Sequence, residues 1–318
     1  MGRENENDLQ APFINWDELA KLAFRGMMPG SQKEKHSKDG KNSKDGEKKG
    51  MGPGRGIGGW DGAAENYNRM VQMEKRYTLK QIDCLDITKD DTVLDVCCGP
   101  GRLVVPIAAR AKSVTGLDAS PKMLEYLDKY AAEEGVTNYK TILQDWEDKD
   151  AALQVPQHDI VVTSRSLGLH DVGILSRLAR KTVMMTVWAN GAKSIPQITG
   201  ALFRDVVNED EEKGYHHPPF PKMDRRLGNN IFYNKVYDLG YEPNVRILDD
   251  GWERTFSSRD EAYNELFKLA PAFLAEKKIN MDIFHANVDK FLTDVDGSVT
   301  YFAPTKSFVI WWDTNNDK

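Results

Sequence analysis

Val93-Leu94-Asp95-Val96-Cys97-Cys98-Gly99-Pro100-Gly101, with a second carboxylate downstream at Asp118, is the stretch that decides the fold. The apolar run reads as a buried strand, the glycines as a turn, and the residues after them as the start of a helix. Gly99 and Gly101 let the backbone approach a ligand closely, and the helix that follows presents unpaired N–H groups in its first turn. Asp118 ends a second apolar run, at about the distance where nucleotide-binding folds place a carboxylate on ribose hydroxyls. The pattern describes a pocket for a nucleotide-like ligand.

A dinucleotide would want a third glycine, yet the frame that starts at Gly99 puts Val104 there. Asp95, just ahead of the turn, would repel a pyrophosphate but suits a ligand carrying an ammonium and a sulfonium. Together, Asp95, the glycine turn and Asp118 resemble the class I S-adenosylmethionine-dependent methyltransferases, whose first motif is a carboxylate followed by alternating glycines. The chain departs from that motif at Cys97, where the family's first glycine usually lies.

The segments that follow keep the order this resemblance implies. Ser113–Asp118 reads as a strand, and Ser120-Pro121 as a helix cap with proline at the first helical position. Met123, Leu124 and Leu127 carry that helix to about Glu134, and Gly135 closes it. Further strands are expected at Tyr139–Leu143, Asp159–Thr163 and Thr182–Trp188, with helical spacing over Val172–Leu178 before the last of them. Apolar runs alternating with helices imply parallel strands joined by right-handed crossovers. Val245–Leu248 and Ser307–Trp312 read as a closing antiparallel pair. The expected fold is therefore α/β, a doubly wound, mostly parallel seven-stranded sheet with helical insertions on the acceptor side.

A net charge of -6 argues against a general nucleic-acid binder. No apolar stretch approaches a membrane span, and three cysteines form neither a disulfide framework nor a zinc pattern. The expectation is a cytoplasmic enzyme without metal or membrane partner, and the oligomeric state is left open. Residues 1–59 read as an amphipathic helix around Ile14, Trp16, Leu19, Leu22 and Phe24, then a Lys/Gly-rich linker too polar to order itself. The eight basic residues between Lys33 and Arg55 alternate with acidic ones, as in a solvated linker. Residues 60–318 form the expected methyltransferase domain. In it a helix runs from about Ala63 to Leu85, and insertions at about 190–230 and 254–297 make a lid or cap. The second insertion carries Tyr263, Phe267, Phe273 and Phe284, which read as cap core or pocket lining.

On the resemblance, Asp95, Cys97, Gly99 and Gly101 would hold the methionine part of S-adenosylmethionine. Asp118 would take the ribose, with Ala119 and Met123 flanking the adenine. Asp145 would take the adenine amino group, with Trp146 beside it, and Ser164 would lie near the transferred methyl. The fourth strand ends in Thr163-Ser164-Arg165-Ser166 rather than an Asn/Asp-Pro-Pro-aromatic motif, and its loop has no nucleophilic cysteine. Both features disfavour the base-methylating classes. Tyr67, Arg165, His216 and His217 are candidate acceptor contacts, and Arg165 reads equally as a salt-bridge partner. His170 has the pKa of a general base, although Asp171 beside it reads as a helix cap and a lone histidine is often structural. The implied activity is direct methyl transfer to a small-molecule acceptor. The alternatives are a protein or RNA methyltransferase and a non-catalytic cofactor-binding regulator.

Overall fold

The computed structural model describes residues 14–16, 18–19, 56–193, 195–207, 228–271 and 274–315. Strands β1 (Thr92–Val96), β2 (Ser113–Asp118), β3 (Tyr139–Leu143), β4 (His158–Ser164) and β5 (Ala179–Trp188) pair in parallel. β6 (Asn244–Phe256), β7 (Leu292–Val295) and β8 (Ser298–Asp313) are antiparallel. The order along the sheet is β3-β2-β1-β4-β5-β8-β6, with β7 paired to β8 outside that path. Seven strands thus match the expected number, and the eighth, β7, is an addition. It forms a hairpin with β8 through Asp296 and Gly297, both at positive φ.

The inner parallel strands β1, β2, β4 and β5 are buried on both faces, so alternate residues feed two separate cores. β3 is the partly exposed edge. Leu94, Val96, Val183 and Met185 pack on one side with Leu175 of α6 (Val172–Leu178) and Phe232 and Val236 of α8 (Asn230–Asp238). Val93, Ile160, Val162 and Met184 pack on the other with Val104 and Ile107 of α3 (Val104–Ala108) and Leu124 and Leu127 of α4 (Pro121–Glu133). At about 1.5–3 kcal/mol for each such side chain buried, these layers dominate the favourable side of folding. α4 begins as expected, with Ser120 Oγ accepting from Met123 N at 3.1 Å ahead of Pro121.

Three elements differ from expectation. The helix expected from Ala63 to Leu85 is a 3-10 turn (Asp61–Ala63) followed by α1 (Ala64–Gln72) and α2 (Lys75–Ile82). The break at Met73 frees its carbonyl, which accepts from Glu253 N of β6 at 3.0 Å. It also turns Glu74 inward. A short α5 (Lys149–Ala152) and an α7 (Ile195–Leu202) form where no periodic signal was read. α7 is held by tertiary packing: Ile198 and Leu202 join Phe203 and Val206 in a third core.

That third core also takes the outer halves of β6 and β8, through Trp252, Phe256 and Tyr301. It adds Leu266 of α9 (Arg259–Phe267) and Phe284 of α10 (Met281–Asp289). Ser258 and Asn280 cap these two helices. The aromatics Phe267 and Phe284 are core partners at 5.3 Å between ring centroids, and Tyr263 stacks on His285 at 3.9 Å. Phe273 lies outside the described residues. Among the described residues no helix is long and apolar enough to cross a membrane.

Candidate active site

At the carboxyl end of β1 the chain turns through Cys97 (φ 57°), Gly99 (φ 54°) and Gly101 (φ 83°), all left-handed. Gly101 is required twice over, because a Cβ there would also sit 2.8 Å from Leu127 Cγ. At Gly99 a Cβ would meet Tyr67 Cε1 at 3.5 Å, so the ring lies against the turn. Cys97 holds a conformation that glycine adopts freely and that costs an L-residue about 1–2 kcal/mol. Burial, with Asp118 nearby, pushes its thiol up to about 12, and Cys98 is raised for the same reason. Both are protonated thiols at neutral pH.

Two carboxylates flank the turn. Asp118 Oδ2 accepts from Gly99 N at 2.8 Å and Oδ1 from Ser120 N at 2.9 Å. Each oxygen keeps a second lone pair, the geometry a vicinal diol can use. Asp95 is buried (2 % exposed), and its side chain makes no hydrogen bond among the described residues. Burial pushes its carboxyl up to about 8, against the pull of Arg102 and with the push of Asp118. A buried carboxyl beside a bare turn fits a cationic ligand, which would draw it into its charged form. At the other end Gln144 Nε2 is buried without a partner, and Gln144 N donates to Asp118 O at 3.0 Å. The group that the sequence implies would meet an unpaired carboxyl at one end and an unpaired amide donor at the other.

The segment before α1 crosses this mouth. Gly58 N donates to Ala119 O at 2.8 Å, Asp61 accepts from Ser120 Oγ, and a Cβ on Gly56 would be 3.7 Å from Asp145 Oδ2. Asp118, Ala119 and Asp145 thus share one rim. Met123 is buried behind it (2 % exposed). Asp145 Oδ1 also accepts from Glu147 N at 2.9 Å.

Toward β4 a layer of paired charge fills the space above the sheet. Glu74 receives both Arg165 Nη1 contacts, at 2.8 and 2.7 Å, and Trp252 Nε1, while Arg102 Nε lies 3.6 Å away. Arg165 Nη2 donates to Asp250 at 2.7 Å and to Ser307 Oγ at 2.9 Å. Arg102 donates to Thr78 at 3.0 Å, to Gln81 at 2.9 Å and to Ser164 Oγ. Burial opposes the charge of Arg165, but Glu74 and Asp250 outweigh it and raise its pKa. Two cations and two carboxylates balance here. Burial raises the Tyr67 phenol, as does Glu74, so it is a donor rather than a base at neutral pH.

Several sequence-based assignments change. Trp146 is core (1 % exposed), with Nε1 donating to Asp171 Oδ2 at 2.8 Å, so its ring is held by the protein. Asp171 stands at the N-cap position but makes no capping bond there. Both terminal guanidinium nitrogens of Arg165, Nη1 and Nη2, face protein carboxylates, the salt-bridge reading. His170 ends a 3-10 turn, Leu167–His170, where its carbonyl accepts from Lys235 Nζ at 2.6 Å. His216 and His217 lie outside the described residues. Glu74, Arg102 and Asp250 were not anticipated. The available signal was Glu74 on a helical face otherwise marked by Met70, Met73 and Tyr77, a charge where the apolar stripe should be.

A doubly wound sheet of this order, with a glycine turn between two acidic strand ends, defines a Rossmann-like enzyme with a nucleoside cofactor. Residues 93–183 match the methyltransferase domain family. An uncharacterized protein of Haemophilus influenzae is 31% identical over 221 residues, which cover 68% of this chain and 75% of that protein. The 23S rRNA (uracil(1939)-C(5))-methyltransferase RlmD of Francisella tularensis subsp. novicida is 29% identical over 82 residues. That match covers 24% of this chain and only 18% of RlmD. Magnesium protoporphyrin IX methyltransferase from Synechocystis, crystallised with bound SAH, is 14% identical, with a TM-score of 0.36 over 76% of this chain and 83% of that one. The chain belongs to the class I S-adenosylmethionine-dependent methyltransferases, and S-adenosylmethionine is its cofactor.

Proposed function

We propose that this methyltransferase acts on a small-molecule acceptor by direct displacement. The observation that carries the reading is the closed charge account at the methyl-transfer end. Arg102 and Arg165 are spent on Glu74 and Asp250, with side chains 8 % exposed or less, so neither cation is free for a phosphate backbone. In this reading Asp95 and the turn at Gly99 and Gly101 hold the methionine end, and Asp118 holds the ribose. Bound S-adenosylmethionine supplies a methyl group already activated on sulfonium. The chain's task is alignment and exclusion of water, by Tyr67 against the turn and by Ser164 held on Arg102.

The RlmD match raises the alternative of pyrimidine C5 methylation. That chemistry starts with a thiolate adding to the ring. Burial raises all three thiols, Cys84, Cys97 and Cys98, so none is poised as a nucleophile. The test offers tritiated methyl donor to the protein together with a cell extract, then separates low-mass, RNA and protein fractions. Label is expected in the low-mass fraction. Label confined to RNA would overturn the proposal.

A further inference from the structure

Arg165 Nε, Thr186 Oγ1 and Trp188 Nε1 are three of the buried polar side-chain atoms that have no hydrogen-bond partner among the described residues. Each such atom costs about 1–3 kcal/mol when left unmet, so three together ask for an explanation. They share one ledge. Thr186 and Trp188 are two apart on β5 and so face the same side of the sheet. Ser164 pairs with Thr186 and Ser307 with Trp188, which continues that face across the neighbouring strands. The Arg165 guanidinium lies over the Trp188 ring, 4.6 Å from its centroid, while Nη2 reaches Ser307. Arg165 takes this position from a left-handed backbone (φ 53°), strained for a long side chain. The ledge is the carboxyl edge of β4 and β5, next to Ser164.

We propose that this ledge binds an uncharged carbonyl oxygen of the methyl acceptor, an amide, lactam or ketone, through Arg165 Nε–H and Trp188 Nε1–H. The proposal rests on the small-molecule reading above. The choice of a carbonyl follows from charge. Arg165 already faces two carboxylates, Glu74 and Asp250, so an anionic oxygen would bring a third negative charge to one guanidinium. A carbonyl oxygen has two lone pairs for two N–H donors and brings none. Thr186 Oγ1 completes the set as a hydroxyl able to accept from the N–H of an amide or lactam whose oxygen the two donors hold.

The test uses full-length protein with S-adenosylhomocysteine bound and the tryptophan indoles labelled with 15N. The Trp188 resonance is identified by its absence in Trp188→Phe. Benzamide is the probe, with benzoate and inorganic phosphate as anionic comparisons. Benzamide is expected to shift the Trp188 indole resonance, and both anions to leave it in place. Trp188→Phe should weaken benzamide about ten-fold, and Thr186→Val should weaken it several-fold with the ring intact. S-adenosylhomocysteine affinity should stay within about two-fold in both variants, which excludes a folding defect. The proposal is overturned if either anion binds this site better than benzamide. It is overturned equally if the indole contacts a long-lived water that benzamide does not displace. Label entering the low-mass fraction at the same rate in Trp188→Phe would refute the ledge alone, whereas label in RNA would refute the small-molecule reading.

Discussion

Replacing Glu74 with Gln tests the charged layer most directly. The carboxylate is 2 % exposed and accepts from Arg165 and Trp252 with Arg102 close by, so solvent screens it little. Glutamine keeps the shape and one acceptor oxygen. Its amide nitrogen is a donor, however, set against a guanidinium; Arg165 is left with Asp250 as its remaining carboxylate partner, and Arg102 loses the carboxylate beside its Nε. Removing one member of a buried ion pair costs about 3–5 kcal/mol because the survivor stays charged and unpaired. The retained hydrogen bond puts the expectation at the low end, about 3 kcal/mol. With a urea slope of about 2–3 kcal/mol/M, the unfolding midpoint should fall by roughly 1 M at constant slope. Asp250→Asn should cost a similar amount, and the double variant less than the sum, since both residues hold the same arginine. A midpoint shift below about 0.3 M for Glu74→Gln would refute the reasoning: Glu74 would then carry no charge that the arginines need.

Two further predictions concern the glycine turn. Native Asp95 keeps its proton up to about 8, whereas an unfolded aspartate loses it near 4, so the native state binds more protons across that window. Its contribution to stability therefore falls as pH rises from about 4 to 8. Donor binding should run the other way, releasing a proton and tightening as pH approaches 8, and titration calorimetry in buffers of different ionisation enthalpy would show it. An Asp95→Asn variant that keeps the same proton release would remove Asp95 as its source. Cys97→Gly relieves about 1–2 kcal/mol of left-handed strain. Against this it loses thiol packing and adds about 0.5–1 kcal/mol of unfolded-chain entropy. Stability should stay within about 1 kcal/mol of wild type and donor affinity within about two-fold. Complete loss of donor binding would mean that the thiol itself touches the ligand.

The parallel half of the sheet was legible because its signals are local. Strands β1 to β5 are short apolar runs bounded by turn residues, and α4 carries its own cap at Ser120. What the sequence left out is what packing decides. α7 has apolar residues at helical spacing only over two turns, Ile195, Ile198 and Leu202, too short a run to read as a helix, and Ile198 and Leu202 anchor it in the third core. The N-terminal helix breaks at Met73 because β6 takes the freed carbonyl. Trp146 stands beside Asp145 in sequence yet turns into the core from the loop after β3, where Asp171 takes its indole N–H.

By itself, then, the sequence determined the order of strands and helices, the turn at Cys97–Gly101 and the two carboxylates Asp95 and Asp118. Each of those depends on neighbours within a few residues. Only the tertiary structure decided what stands opposite them. Glu74, Arg102, Arg165 and Asp250 come from four separate elements, and their charges balance only when β6 and β8 close over the break between α1 and α2. Coulomb and desolvation energies depend on distance and burial, and neither is written in the spacing of residues along the chain.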